Sequence, residues 1–206
     1  MSRSNAIHDS LVLPTLVGPQ TKLRHIASSD APALRAIFGE PRVVQYMGMP
    51  LLRSDEQVQE LLLNISTGIR NKTLFQWGLA VPGSDVLIGT CTLSHIDWIN
   101  QRAEIGFALA LSQWSRGIMK ATLPILIEHA FNSLSLHRLE ADADPRNTRS
   151  LRLLQYFGFE QEGYLRERHL AAGERQDTVL LGLLAPAWKR SRSTASLSKP
   201  RETEVA

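Results

Sequence analysis

Three runs of strand character follow one another between residues 75 and 109 with only turns between them, and this arrangement most restricts the fold open to the chain. Residues 75–81 and 86–93 flank Pro82-Gly83-Ser84-Asp85, a turn sequence that reads as a hairpin. A polar turn containing Asn100 and Gln101 leads into 102–109, Arg-Ala-Glu-Ile-Gly-Phe-Ala-Leu. A helix follows over 118–134, with Leu123, Ile127, Ala130 and Leu134 on one side. Strands in direct succession, then strand and helix in alternation, imply a mixed α/β fold. Its one sheet is predominantly antiparallel rather than doubly wound.

The flanking segments complete the order. Residues 1–10 read as a loose leader. A strand spans 16–26, interrupted near Gly18-Pro19. Ser28-Ser29-Asp30 caps a helix through Phe38, which ends at Gly39-Glu40-Pro41. A second helix starts at Ser54, with Asp55 and Glu56 in its first turn and Val58, Leu61, Leu62 and Ile65 at helical spacing. Beyond the 118–134 helix come a strand at 136–141, a turn at Asp144-Pro145-Arg146-Asn147, and a helix over 150–157 stopped by Gly158. Two strands close the domain, 159–168 and 176–184, around Ala172-Gly173-Glu174. The expected order is β-α-α-β-β-β-α-β-α-β-β. One domain would cover 11–190, and the polar, Ser-rich, basic segment 191–206 reads as a disordered tail.

Composition narrows the function classes. The net charge is +3, and Lys189, Arg190, Arg192, Lys199 and Arg201 place much of the excess at the C-terminal end. The remaining body is near neutral, unlike a nucleic-acid binder. Cys91, the single cysteine, lies in the apolar run Val86–Leu93 and reads as a buried structural thiol rather than a nucleophile. No run reaches the ~18 apolar residues of a membrane span, and the N-terminal residues lack a signal-peptide core. A soluble, cytoplasmic protein without membrane contact is expected. The six histidines show no metal-ligand spacing, and neither GxGxxG nor GxxxxGK[ST] is present.

The turn between the strand 102–109 and the next helix is Gln113-Trp114-Ser115-Arg116-Gly117-Ile118-Met119-Lys120-Ala121. The first N–H groups of a helix lack intrahelical partners, and with the helix dipole they suit a phosphate or pyrophosphate. Gly117 permits close backbone approach, and Arg116 and Lys120 add positive charge. An ordinary strand-to-helix turn capped by Ser112 or Ser115 is the alternative. On these residues alone, both readings stand.

Two further segments join this turn. Asn147-Thr148-Arg149-Ser150 opens a helix that ends in Tyr156-Phe157-Gly158-Phe159, and Glu162-Gly163-Tyr164-Leu165-Arg166 follows. Together with Glu104-Ile105-Gly106-Phe107, and at this spacing, the chain resembles the GNAT-superfamily acetyltransferases. More narrowly it is similar to the Rim-type N-acetyltransferases, which modify the α-amino groups of ribosomal proteins. The resemblance runs over residues 16–188.

The resemblance implies a GNAT fold whose sheet splays into a V between residues 107–109 and 136–141. It implies acetyl-CoA as acyl donor and no metal. The coenzyme pyrophosphate would sit on Trp114, Ser115, Arg116, Gly117, Ile118 and Met119, with Lys120 alongside. Trp114 stands where Gln or Arg is usual, Ser115 where a further Gly is common, and Met119 where Gly or Ala is usual. Phe107, Ala108 and Leu109 would pair through their backbone with the pantetheine arm, and a bulge there would free an N–H for the thioester carbonyl. Asn147 would contact the same arm while also capping its helix. Ser150 matches a serine near the coenzyme sulfur, where its hydroxyl could assist the leaving thiolate; as a plain first-turn residue it would have no such role. Many relatives carry a tyrosine where Leu154 stands. Tyr156, two residues on, is expected to pack against the sheet.

Glu104 is the candidate general base, acting through a water on the acceptor ammonium. The alternative makes it a strand glutamate paired with Arg102 or Arg166. His95 and Asp97 are secondary base candidates; Arg166 reads as structural or substrate-orienting and Asp177 as structural. The implied reaction is direct attack of an amine in a ternary complex, the acceptor being a protein N-terminus, for instance of a ribosomal protein. A small-molecule amine is the rival acceptor. A non-catalytic acyl-CoA-binding regulatory module is the rival class. Binding of nucleic acid or ribosome through the basic tail ranks below these, and a monomer or homodimer is expected. The acceptor site would be built from the first two helices and the loop joining them, 41–53, with Tyr46, Met47 and Met49 either lining it or packed in the core, and from the last hairpin near 170–175.

Overall fold

The computed structural model describes residues 12–81, 83–171 and 173–197. Residues 1–10, read above as a leader, and 198–206 of the tail lie outside them. The expected 16–26 strand is two strands, β1 (Leu16–Val17) and β2 (Lys22–His25), paired antiparallel. Pro19 has no N–H for a ladder, and the Gly18 N–H closes the turn on the Thr21 carbonyl at 2.8 Å. Helix α1 (Ala31–Phe38) follows. The segment 41–53 was expected as a loop, but it begins with a short helix, α2 (Pro41–Val44). Pro41 presets φ at its first position, and the Glu40 side chain accepts from the Arg42 N–H. In α3 (Asp55–Asn71), Ser54 and Gln57 cap one another reciprocally.

Strands β3 (Phe75–Ala80), β4 (Leu87–Asp97) and β5 (Arg102–Leu109) form the expected antiparallel meander. Helix α4 (Ile118–Glu128) continues as a wider π turn over His129–Ser133. Its stripe of Leu123, Ile127 and Ala130 is fully buried, against a sheet face that includes Trp77, Leu79, Cys91 and Leu139. The next strand, β6, covers Arg138–Ala143 rather than 136–141. Leu136 N–H closes the preceding helical turn on the Ala130 carbonyl, and His137 N–H bonds to the Gln101 carbonyl in the β4–β5 turn, before the strand begins. Helix α5 (Thr148–Tyr156), β7 (Glu160–Ala171), β8 (Glu174–Leu184) and α6 (Ala185–Leu197) complete the chain.

Helix α6 corrects the expectation of disorder from Ser191, since it runs through Leu197. Buried Trp188 donates to Glu128 at 3.0 Å and ties α6 to the end of α4. The Arg, Ala and Leu residues beyond it are good helix formers and carry the helix on. Among the described residues, no helix is long and apolar enough to cross a membrane.

The eight strands lie in the order β1-β2-β3-β4-β5-β6-β8-β7. The β5–β6 pair is parallel and short: Arg102, Ala103 and Glu104 face Arg138, Leu139 and Glu140, and pairing then stops. On their other edges both strands are held throughout, β5 to β4 as far as Leu109 opposite Gly89, and β6 to β8 along its whole length. Each half of the sheet follows its own twist, and the two separate beyond Glu104 into the expected V. The expected bulge at 107–109 is absent, because the β4–β5 register is continuous there. It shifts instead between Ser94 and Asp97, at the other end of the pair. The splay itself frees the β5 edge, since alternate backbone groups beyond Glu104 have no strand partner on that side.

Candidate active site

At the mouth of the V, β5 passes through Leu111–Gln113 into the turn and then α4. Capping of this helix by Ser112 or Ser115 does not occur. Its N-cap is Gly117, at φ +73° and with no side-chain cap, and Ser115 also takes a positive φ of +62°. The first-turn N–H groups are therefore left to whatever lies in front of them. A Cβ built on Gly117 meets no atom within 4 Å. Met119 sends its sulfur to 3.9 Å from that of Cys91, so the core absorbs this departure from a small residue. Trp114 folds back on the strand, donating from Nε1 to the Leu109 carbonyl at 2.8 Å, with the Arg149 guanidinium 4.9 Å from its ring.

These residues line a cavity of about 880 Å³ that runs from the open edge of β5 past the turn to α5. Phe107, Ala108, Leu109, Asn147, Ser150 and every residue from Trp114 to Lys120 contribute to its wall. So do Arg42, Arg146, Arg149 and Arg152, and no Asp or Glu does. With Arg116 and Lys120 this makes six cations. Glu40 pairs with Arg42, and Asp144 holds Arg146 through two hydrogen bonds. The sequence reading missed the four arginines, because α2, α5 and the loop before α5 meet the turn only in the folded sheet. A wall with an uncapped helix N-terminus, six cations and no carboxylate fits a ligand carrying several phosphates.

Asn147 caps α5 by accepting from the Ser150 N–H at 3.2 Å. Its Oδ1 is engaged in that cap, and the side chain also lines the cavity. Asn147→Ala is expected to lower stability by about 1 kcal/mol, read as a reduced Tm without any ligand. Leu154 is buried under the same helix. Tyr156 does not pack against the sheet: it is 63% exposed, with Lys120 Nζ 3.8 Å from its ring centre. Two residues beyond Leu154, it falls on the opposite side of a 3.6-residue helix.

A second cavity, of about 530 Å³, lies on the other side of the V. Tyr46, Met47, Phe107, Ala108, Asn147 and Ser150 line both, so the two meet at the splay beside Ser150. Met49, from the expected 41–53 segment, and His169, from the last hairpin, line the second. Its charged wall is mainly acidic, with Glu104, Asp142, Asp144 and Asp177. Arg168 holds Asp142 at 3.1 Å, and Asp177 accepts from the Tyr164 hydroxyl and, at 2.8 Å, from the Glu167 N–H. Asp97 accepts from the Asn100 backbone and side chain at the β4–β5 turn, away from either cavity.

Glu104 pairs with neither Arg102 nor Arg166. Arg102 goes to Glu140 at 2.8 Å, and the partner of Glu104 is His95, Nδ1 to Oε2 at 3.1 Å. The shift in register at His95 swings that side chain onto the neighbouring strand, a contact that alternation along β4 could not reveal. Burial pushes the Glu104 carboxyl above the ordinary carboxylate range, and the charge of Asp142 adds to this; His95 and Arg168 oppose it. Cys91 is wholly buried and its thiol is pushed up to about 12, which leaves it no nucleophilic role at neutral pH. Among the described residues, no cluster of His, Cys, Asp or Glu could hold a metal.

Comparison with known proteins agrees with this geometry. A model of the GNAT acetyltransferase domain matches residues 20–160. The uncharacterized N-acetyltransferase p20 of Bacillus licheniformis is 32% identical over 172 residues, covering 84% of this chain and 97% of that protein. The ribosomal protein uS5-alanine N-acetyltransferase of Escherichia coli (strain K12) is 31% identical over 57% of this chain and 61% of its own. In fold, the chain is similar to spermidine N-acetyltransferase from Vibrio cholerae, crystallised with CoA and spermine. That match has a TM-score of 0.75 at 20% identity and covers 82% of this chain and 98% of the other.

Proposed function

The chain belongs to the GNAT acetyltransferase family, an acetyl-CoA-dependent enzyme of its Rim-like branch, and from that premise we propose that it acetylates a protein N-terminal α-amino group by direct attack in a ternary complex. One observation carries the reading: two cavities of opposite charge character meet beside Ser150, with the open edge of β5 between them. The cationic one suits the phosphates of the coenzyme, and the acidic one suits an ammonium. The catalytic domain is taken as 11–190.

In this reading the turn from Trp114 to Lys120 holds the pyrophosphate through backbone N–H groups. The free edge of Phe107, Ala108 and Leu109 orients the pantetheine amides, and Asn147 bounds that arm. The thioester is the group that supplies the acetyl. Glu104 accepts a proton from the acceptor ammonium through a water, and its pKa, raised by burial, makes it a stronger base than an exposed carboxylate. In this reading Ser150, which lines both cavities, donates its hydroxyl to sulfur as charge develops there. Buried Leu154 has no hydroxyl, so Ser150 is the donor on that side of α5.

The choice of a protein N-terminus draws support from the uS5-alanine relative and from the apolar rim of Tyr46, Met47 and Met49. The acidic wall of the second cavity would also receive a polyamine, which favours a small amine as the second reading. Turnover of acetyl-CoA, measured across peptides with free N-termini and across small amines, separates the two. Retained acetyl-CoA binding with no turnover of any amine would instead identify a non-catalytic acyl-CoA-binding module.

Ser150→Ala tests the thiolate role. It should lower kcat while leaving the acetyl-CoA Kd nearly unchanged, because the interaction strengthens only in the transition state. A normal kcat in the folded variant would remove Ser150 from the mechanism. The Asn147 cap uses the Ser150 backbone N–H, so the substitution leaves it in place.

A further inference from the structure

We propose that His95 is the proton outlet of the site, taking from Glu104 the proton removed from the acceptor and passing it to solvent. The inference rests on the reading of Glu104 as base and asks what happens to its proton afterwards. Acetylation of an ammonium by a thioester releases two protons from nitrogen. One leaves with the thiol and the other must reach bulk water in every cycle. Glu104 is largely enclosed, 33% exposed at the side chain, whereas His95 is 77% exposed and touches it at 3.1 Å.

The placement of His95 is specific. It lies where the β4–β5 register shifts and has a φ of +49°, a left-handed conformation unusual for a histidine within a strand. Regular alternation would not set its ring over a residue of the neighbouring strand in this way. The other groups facing Glu104 offer no comparable exit. Asp142 on β6 is held by Arg168 of β7, and Asp177 on β8 is engaged by Tyr164 and Glu167. His169 of β7 lines the same cavity, but among the described residues only His95 pairs with Glu104.

The transfer balances without a further reactant. The ammonium proton passes through water to a Glu104 oxygen. With Glu104 protonated, exchange with water at the exposed ring moves the imidazole hydrogen from Nδ1 to Nε2, and Nδ1 takes the Glu104 proton. Nε2 then releases its proton to solvent, which returns Glu104 as carboxylate and His95 with its Nδ1–H directed at it. His95 thus acts through Glu104 and positions no acyl group.

The test uses the full chain, with acetyl-CoA and two acceptors, a peptide bearing a free N-terminal alanine and spermidine. His95→Ala should slow kcat by about 10-fold or more in dilute, non-imidazole buffer, with an unchanged acetyl-CoA Kd. Rising imidazole concentration should restore its rate, as a mobile carrier replaces the fixed one. His95→Gln keeps a hydrogen-bond donor towards Glu104 but carries no proton, so it should stay slow. A wild-type rate for His95→Gln, or a slow His95→Ala that imidazole does not rescue, would overturn the proposal. Glu104→Gln is measured alongside. If it is slow while both His95 variants are normal, only the outlet fails. If Glu104→Gln retains full activity, or the wild type turns over neither acceptor, the base reading fails and the outlet with it.

Discussion

Glu104→Gln is expected to lower kcat by about 10- to 1000-fold. Gln is nearly isosteric and keeps a hydrogen-bond acceptor towards His95, so the loss would reflect the missing base rather than a rearranged wall. The deficit should shrink as pH rises, because more acceptor is then already deprotonated. In the wild type, the acidic limb of the kcat/KM profile should lie above the ordinary carboxylate range of about 4, following the raised Glu104 pKa. The stability consequence has the opposite sign. A carboxyl whose pKa is raised on folding binds protons more readily in the native state, so its ionisation weakens the fold as pH climbs through that window. The neutral Gln escapes this cost, and the variant should melt no lower than wild type at neutral pH. Low activity with an undiminished Tm is thus the expected pair of results. Unchanged activity at all pH values would return Glu104 to a structural role.

Gly117→Glu should abolish the stabilisation of the protein by acetyl-CoA. A ligand that binds only the native state adds about 2.7 kcal/mol at a hundredfold excess over Kd, visible as a rise in Tm. The space in front of Gly117 is empty of protein atoms, so the new side chain would enter the ligand's volume without striking the fold, and it would set a negative charge against the phosphates. Its φ of +73° strains any residue with a Cβ. Gly117→Ala therefore serves as the control, carrying the strain but neither the bulk nor the charge. The expected result is a lowered but still ligand-responsive Tm for Ala and an unresponsive Tm for Glu. Absence of a shift in the wild type would contradict coenzyme binding at this turn.

The two predictions draw on different amounts of tertiary information. The turn was readable in the chain because its parts are neighbours: a strand, a glycine that tolerates positive φ, and the first turn of a helix. Even so, the sequence allowed Ser112 or Ser115 as caps, and only the backbone path shows Gly117 at that place. Glu104 was readable as a candidate from the Glu-Ile-Gly-Phe strand, but its partner was not. Arg102 and Arg166 were the natural guesses for a strand glutamate. A shifted register one strand away supplied His95 instead, and Glu140 took Arg102. Likewise Arg42, Arg146, Arg149 and Arg152 carried no local mark of a phosphate wall.

What the sequence determined by itself was the succession of the main strands and helices, apart from α2, α6 and the division of the first strand, together with the caps at Ser54 and Asn147, the buried stripe of α4 and the strand-turn-helix at the mouth of the V. All of these depend on residues within a few positions of one another, where periodicity, φ preferences and capping act directly. The tertiary structure alone decided where the sheet opens, which cations converge on one cavity and which carboxylates on the other, and that His95 meets Glu104. The opening follows from the twist of two half-sheets, each hydrogen-bonded along its outer neighbour, and β5 and β6 part after Glu104 because three residue pairs do not hold them against that twist. Register and twist are properties of whole strands packed together, so no single segment of the chain carries them.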